Sequence, residues 1–481
     1  MLAVAHVLGL LLTVAGAAYA LPIACSLIAR DGLAGVFLAA AAITAGAGLV
    51  LAGATHWHRR ELKPRDGFLL VTLGWLLVSL SASIPLLLAL PSLSFTDAFF
   101  EAMSGLTTTG STVLSGLDTL APSLNFWRAS LHWFGGLGII VMAVAILPLL
   151  GVGGMQLYRA ETPGAVKEEK LAPRIAETAK SLWFVYSILT VAGILGLRVC
   201  GMSWFDAICH AFSAVGLGGF STHDASIAYF DSPAIELVLI ALMLVASLNF
   251  ARHFVALRRL ALAPYSQDVE SKASFAILGV SVVAIAVLLT WRDVYPGLTA
   301  VRHSLFNVVS FATTSGMTSQ DFSKWPVFAP TWMLFLSCIV CNTGSTGGGI
   351  KMFRTLLLAK QATREMKMLV HPSAVAPLRI GGRPIPERIA QSVLAFIFLY
   401  FMTAVLLTFA LLLSGLDFPS SIGAIIASIN NTAGGLSAVG SGRTYQSLSA
   451  VQIWICTAAM LLGRLEIFSV LVLFTPAFWR K

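Results

Sequence analysis

Long apolar runs, separated by charged or glycine-rich stretches, recur along the whole chain. Ten are long enough to cross a bilayer: near 3–28, 35–55, 68–90, 126–150, 181–200, 233–257, 273–291, 328–360, 389–413 and 449–474. Four shorter apolar segments, 96–107, 205–215, 302–312 and 419–429, sit between pairs of these runs. About ten residues of helix cannot span the hydrocarbon, so these segments enter the membrane without crossing it. Each ends in a stretch rich in Gly, Thr or Ser. The pattern predicts an all-α polytopic membrane protein: two N-terminal helices, then a unit of span, short helix, Gly/Thr stretch and span, repeated four times around one pore. The units divide as 1–60 (the two extra helices), 61–165, 166–265, 266–380 and 381–481.

Composition agrees with this reading. Hydrophobic residues are 57% of the chain and charged residues 11%, whereas soluble domains carry about 25% charged residues. The net charge of +9 does not point to nucleic acid, because the cations cluster in the short stretches between spans. Arg59, Arg60, Lys63 and Arg65 lie in one; Arg159, Lys167, Lys170, Arg174 and Lys180 in the next; Arg252, Arg258, Arg259 and Lys272 in a third. Lys360–Arg388 and the terminal Arg480-Lys481 are basic again. With ten spans all of these fall on one side, leaving isolated cations such as Arg128, Arg198, Arg292 and Lys324 on the other. The positive-inside rule then puts both termini in the cytoplasm of a multi-pass inner-membrane protein, with the short segments outside. The first apolar run lacks a basic leader and is read as a retained helix.

The four short segments share a spacing. Asp97 and Asp206 lie thirteen residues before Gly110 and Gly219, and Phe100, Cys209 and Phe306 ten before Gly110, Gly219 and Gly316. Six residues before these glycines stand Ser104, Ser213 and Ser310, and Ser428 keeps that offset from Gly434. The segments end Thr107-Thr108-Thr109-Gly110, Val215-Gly216-Leu217-Gly218-Gly219, Thr313-Thr314-Ser315-Gly316 and Asn431-Thr432-Ala433-Gly434-Gly435. Small residues also serve close helix packing, but four such stretches at matching places favour a pore. Irregular backbone at membrane depth is tolerated where it lines a water-filled cavity. Four strands around one axis would offer rings of carbonyl oxygens in place of a cation's hydration shell, and each short helix would aim its negative C-terminal end at that axis.

These residues resemble the Trk/Ktr/HKT superfamily of potassium transporters, and within it the TrkH-type bacterial subunits. The resemblance spans essentially the whole chain and is most specific in GLTTTGSTV (105–113), GLGGFSTHD (216–224), FATTSGMTSQDF (311–322) and NTGSTGGGIK (342–351). It implies potassium uptake through a carbonyl selectivity filter, with K⁺ held at Thr108, Thr109, Leu217, Gly218, Thr314, Ser315, Thr432 and Ala433. It also implies one filter glycine per repeat: Gly110, Gly219, Gly316, and either Gly434 (serine spacing) or Gly435 (followed by apolar Leu436). Retention of Gly110 argues for potassium over sodium. The resemblance further implies a homodimer with one pore per protomer, gated by a separate cytosolic ring of nucleotide-binding TrkA-type subunits; no covalent cofactor is expected, and nucleotide acts only through that ring. The basic loops suit such a ring or anionic lipid headgroups equally. Channel-like flux and ion-coupled symport remain alternatives.

The eighth span is interrupted by Gly344-Ser345-Thr346-Gly347-Gly348-Gly349, followed by Lys351. The family uses this break as an intramembrane gating loop beneath the filter. The missing GK[ST] ending and the segment's place inside a span argue against a phosphate loop. Arg464, in the last span, has two candidate roles: pairing with Glu466, or facing the pore near the gating loop, which is preferred because residues 464 and 466 point to different helix faces. Asp97 and Asp206 are read as helix N-terminal stabilisers, His223-Asp224 as an outer-mouth or loop feature, and His56 and His58 as interfacial anchors. Cys338 and Cys341 form a CxxC without a second pair, which suits helix packing. No HExxH, GxSxG or paired intramembrane carboxylates suggest an enzyme. A secondary transporter of another cation or small solute is the alternative.

Overall fold

Within hydrocarbon the backbone has no water to bond, so apolar runs close their hydrogen bonds as helices. The computed structural model describes residues 1–58, 62–145, 171–374 and 376–480. Arg59, Arg60, Arg159, Lys167, Lys170 and Lys481, together with the expected boundaries at 60/61 and 165/166, lie outside the described residues.

Helices α1 (Leu2–Ala18) and α2 (Ala20–Ala29) form one span, and α3 (Ala34–Ala54) returns. The first repeat follows as α4 (Pro64–Ala89), short α5 (Phe95–Leu106) and α6 (Pro122–Ala145). The second is α7 (Leu171–Val199), short α8 (Trp204–Gly216) and α9 (Pro233–Ala246), continued by α10 (Phe250–Arg259). The third is α11 (Val269–Trp291), short α12 (Gly297–Ala312) and α13 (Phe328–Ile339), continued after a loop by α14 (Met352–Val370). The fourth is α15 (Glu387–Leu413), short α16 (Phe418–Asn430) and α17 (Ala450–Arg464). Six of the described helices, counting α1 and α2 as one, are long and apolar enough to cross a membrane. A two-residue ladder pairs Arg379 with Pro384 and Ile380 with Arg383.

Two of the expected straight spans are bent. The run expected at 233–257 turns by 100° between α9 and α10. Asn249 caps α10 by accepting from the Ala251 N–H, and the segment beyond carries Arg252, Arg258 and Arg259, which hydrocarbon would not receive. The run expected at 449–474 turns by 105° after Arg464, where consecutive Glu466 and Ile467 both take left-handed φ of 54°. For residues with a Cβ that conformation costs about 1–2 kcal/mol each and cannot continue a helix.

The short helices begin as their sequences require. Ser94 and Ser203 accept from the N–H groups of Asp97 and Asp206, and Asp417 from that of Ser420. These two aspartates therefore stand in the first turn, as expected. α12 has no such cap and begins at Gly297, five residues earlier than its apolar run indicates. Besides its own repeat, each short helix packs on the second span of the repeat before it: α8 on α6, α12 on α9, α16 on α13, and α5 on α17. The last contact joins the fourth repeat to the first, which closes the ring.

Outside that ring α1 crosses α3 backbone to backbone. A methyl built on Gly48 would stand 2.5 Å from the Thr13 nitrogen, and one on Gly9 would stand 2.8 Å from the Gly48 oxygen. Such small-residue crossings supply van der Waals contact where no hydrophobic force operates between helices. Gly48→Leu is expected to destabilise the protein by about 1–3 kcal/mol through overpacking, seen as a lower melting temperature in detergent. An unchanged melting temperature would mean that this crossing contributes nothing.

Candidate ion pathway

The four Gly/Thr stretches leave their helices through one hydrogen-bond pattern. Thr108, Leu217, Thr314 and Asn431 donate to the carbonyls three residues back, at Gly105, Ala214, Phe311 and Ser428. The next residues, Thr109, Gly218, Ser315 and Thr432, donate five residues back, to Ser104, Ser213, Ser310 and Ala427. The first member of each set is left-handed, with φ of 54°, 55°, 65° and 53°. The position after these sets is held by Gly110, Gly219 and Gly316, at φ of 78°, 92° and 74°.

This register corrects the fourth repeat. Ala433, and neither Gly434 nor Gly435, is the counterpart of the three glycines. Asn431 and Thr432 match Thr108 and Thr109, so the expected K⁺ positions Thr432 and Ala433 run one residue late. Ser428 matches Gly105 rather than Ser104, so its apparent six-residue offset reflected the left-handed glycine moving one place on, to Gly434 (φ 83°).

The four stretches converge. A Cβ built on Gly110 would meet the Gly218 carbonyl, one on Gly219 the Ser315 carbonyl, and one on Gly316 the Ala433 carbonyl. The Asn431 side chain donates to Thr109 Oγ1 at 3.0 Å and joins the fourth stretch to the first. Thr108 Oγ1, Ser315 Oγ, Thr432 Oγ1 and Asn431 Oδ1 are buried there without a hydrogen-bond partner among the described residues. Among the described residues no three His, Cys, Asp or Glu side chains gather as a metal site. The oxygens these four stretches carry are carbonyls, hydroxyls and one amide, with no carboxylate, a set suited to a weakly held alkali cation.

Directly against these stretches lies the glycine loop between α13 and α14. The Gly348 N–H donates to Thr314 Oγ1 at 3.1 Å, and Thr346 Oγ1 donates to the Val215 carbonyl at 3.0 Å. A Cβ on Gly348 would strike the Asn430 carbonyl, and one on Gly347 would come within 3.0 Å of Thr314 Oγ1. The near leg of the loop is tied to α11: Asn342 bonds Ser271 and Ser274, and the Thr343 N–H donates to Glu270 at 2.9 Å. The Gly344 carbonyl accepts from the Phe250 N–H at 3.1 Å, where α9 breaks into α10. Ser345 bonds Asn342 within the loop, Gly349 takes φ of 79°, and the Lys351 ammonium donates to the Gly347 carbonyl.

Arg464 resolves its two candidate roles. Its guanidinium donates to the Thr346 carbonyl of the loop and to the Gly135 carbonyl of α6, both at 2.9 Å. Glu466 pairs instead with Arg354 of α14 at 2.5 Å. The arginine therefore links the last span, the loop and the first repeat at one point.

A buried charge pair went unnoticed in the sequence. Glu101, in short helix α5, holds Arg128 of α6 at 2.7 Å with both side chains almost fully buried. Glu101 also accepts from Thr112 and from the Val113 N–H, while Arg128 reaches the Ser221 carbonyl and covers Phe220 at 4.2 Å. The pair thus fixes the chain just beyond the Gly/Thr stretches of the first two repeats. Its signal was a lone glutamate inside an apolar segment too short to span, with an isolated arginine in the next helix. Farther out, His223 holds Asp118 at 2.5 Å, and this bond keeps the Asp118 carboxyl below its ordinary range. The His223 side that was read as a possible mouth thus ties two loops together.

The whole arrangement matches a known family. The family model for TrkH, described as a cation transport protein, matches residues 35–481. The chain belongs to the TrkH family. It is 46% identical over 478 residues to the Trk system potassium uptake protein TrkH of Halomonas elongata, covering 99% of this chain and 98% of that protein. It is 44% identical over 481 residues to the Escherichia coli protein of the same name, covering 100% and 99%. The crystal structure of the potassium transporter TrkH from Vibrio parahaemolyticus superposes with a TM-score of 0.92 at 40% identity, covering 100% of this chain and 99% of that one. TrkH membership makes this a multi-pass membrane protein of a transport family and not an enzyme.

Removing one partner of a buried pair costs about 3–5 kcal/mol, whereas replacing both with apolar groups is often neutral. Glu101→Ala is therefore expected to lower the melting temperature sharply, and Glu101→Leu combined with Arg128→Met to recover most of the loss. If the single and double variants melt alike, the pair is not what fixes this region.

Proposed function

We propose that this protein carries potassium into the cell across the cytoplasmic membrane, through the axis where the four Gly/Thr stretches meet. The reading rests on one observation: four backbone strands with the same hydrogen-bond exit close into a ring, each meeting a carbonyl or side chain of its neighbour. A dehydrated cation needs several oxygens from several directions at once, and four strands around an axis supply them. The filter would comprise Thr107–Gly110, Val215–Gly219, Thr313–Gly316 and Asn431–Ala433, with the negative ends of the short helices adding attraction for a cation. The names of the relatives at 44–46% identity point to potassium as the cation.

The loop Gly344–Gly349 is the proposed gate. It lies against the inner end of the stretches, and Arg464 holds it by one hydrogen bond to Thr346. We take the basic side as cytoplasmic, which puts both termini inside and the loop below the filter. A homodimer and a nucleotide-binding regulatory ring on the cytoplasmic face, with the glycine loop as the element it moves, complete the proposal.

Two experiments test this. Radiolabelled Rb⁺ uptake into potassium-loaded proteoliposomes is expected for the wild type and is expected to resist excess external Na⁺. Gly110→Ser is expected to lose that resistance, because its side chain would meet the Gly218 carbonyl and displace the ring. Wild-type protein that is folded yet carries no cation, while moving an organic solute, would sink the reading. Arg464→Ala removes one of the bonds that hold the loop and is expected to raise resting Rb⁺ leak about tenfold, since a charge-assisted hydrogen bond contributes about 1.5–3 kcal/mol. Leak equal to wild type would remove Arg464 from gating.

A further inference from the structure

The ring that closes the four stretches is made of three glycines and one alanine, and the alanine methyl faces inward. Cβ atoms built on Gly110, Gly219 and Gly316 would stand 2.9, 2.7 and 2.6 Å from the Ala433 Cβ. Three neighbours from three directions thus aim at the spot where one methyl already sits. Carbon atoms in contact keep about 3.5–4.0 Å apart, so that spot holds one carbon and no more. Ala433 occupies the same hydrogen-bond register as the glycines but does not share their left-handed φ; Gly434 takes it one residue later. That shift is what allows a residue with a side chain at this level.

We propose that Ala433 is a specificity-determining residue whose methyl constricts the ion path at the level of Gly110, Gly219 and Gly316. This inference rests on the cation-pathway reading given above. A methyl group offers a passing ion no oxygen and takes the room a retained water would use. The cost falls on every cation and most heavily on the larger ones, so the constriction disfavours Cs⁺ over Rb⁺ and Rb⁺ over K⁺.

Uptake of K⁺, Rb⁺ and Cs⁺ into proteoliposomes, compared between wild type and Ala433→Gly, Ala433→Val and Gly434→Ala, tests the inference. A single carbon's worth of space changes discrimination by about tenfold or more, so Ala433→Gly is expected to raise K⁺ flux and to raise the Cs⁺/K⁺ ratio about tenfold. Ala433→Val is expected to abolish K⁺ flux while the protein still elutes as the wild type does, with its melting temperature lowered by the two added carbons. Gly434→Ala would add its methyl toward Phe311 Cζ at 3.3 Å, on a backbone held at φ of 83°, and is expected to lower stability without raising the Cs⁺/K⁺ ratio. The inference is overturned if Ala433→Gly matches wild type in flux and ratio, or if Gly434→Ala changes the ratio and Ala433→Gly does not. Wild type that conducts while Ala433→Gly has no effect ends this inference alone. Wild type that carries no cation ends the pathway reading and this inference with it. Stabilisation of each variant against heat by K⁺, Rb⁺ or Cs⁺ gives a second readout that needs no open gate. Cs⁺ is expected to stabilise Ala433→Gly more than wild type, and equal stabilisation counts against the constriction.

Discussion

Four backbones can meet at one axis in a membrane only where side chains stand aside and every other polar group is already bonded. That constraint organises the protein. It requires short helices that stop at the centre, a left-handed residue to turn each chain out of its helix, and a residue without a Cβ where the turned chains touch. Thr108, Leu217, Thr314 and Asn431 take the strained turn, and Gly110, Gly219 and Gly316 the contact. The rest of the fold holds those turns in place. Each short helix rests on the span preceding its own repeat, so no repeat forms its part of the centre alone.

The loop below the centre obeys the same logic in reverse. Gly347 and Gly348 approach Thr314 and the Asn430 carbonyl so closely that a methyl would collide. Yet the loop keeps little of its own regular structure and is held by single hydrogen bonds to α11, α10, Val215, Thr314 and Arg464. A segment that is tightly fitted but lightly bonded can change position at modest cost, because interfaces of this kind are bistable and not continuously deformable. Arg464, itself in the last span, bonds both this loop and the first repeat through the Thr346 and Gly135 carbonyls.

Much of this was legible in the sequence, for identifiable reasons. Hydropathy gave the spans and the short helices, because apolar length is decided by bilayer thickness alone. The three repeats ending in glycine were found because a left-handed contact position restricts the residue type. The fourth misled for the same reason. Its glycine marks the left-handed residue one step beyond the ring, and only the hydrogen bonds from Thr432 to Ala427 reveal the slip. The bends after Ala246 and Arg464 were missed because an apolar run reads the same whether straight or folded back. Glu101 and Arg128 were missed because a buried pair has no periodicity and shows itself only when two elements are brought together.

The central claim is that a dehydrated cation sits on the axis shared by the four stretches. Its most direct test is a structure determined with Rb⁺ or Tl⁺ replacing K⁺, using anomalous scattering to place the ion. The account predicts density on the axis, bounded by the carbonyls and hydroxyls of Thr108–Thr109, Leu217–Gly218, Thr314–Ser315 and Asn431–Thr432. Ordered density for these stretches with the heavy cation bound elsewhere, or nowhere within the ring, would contradict it.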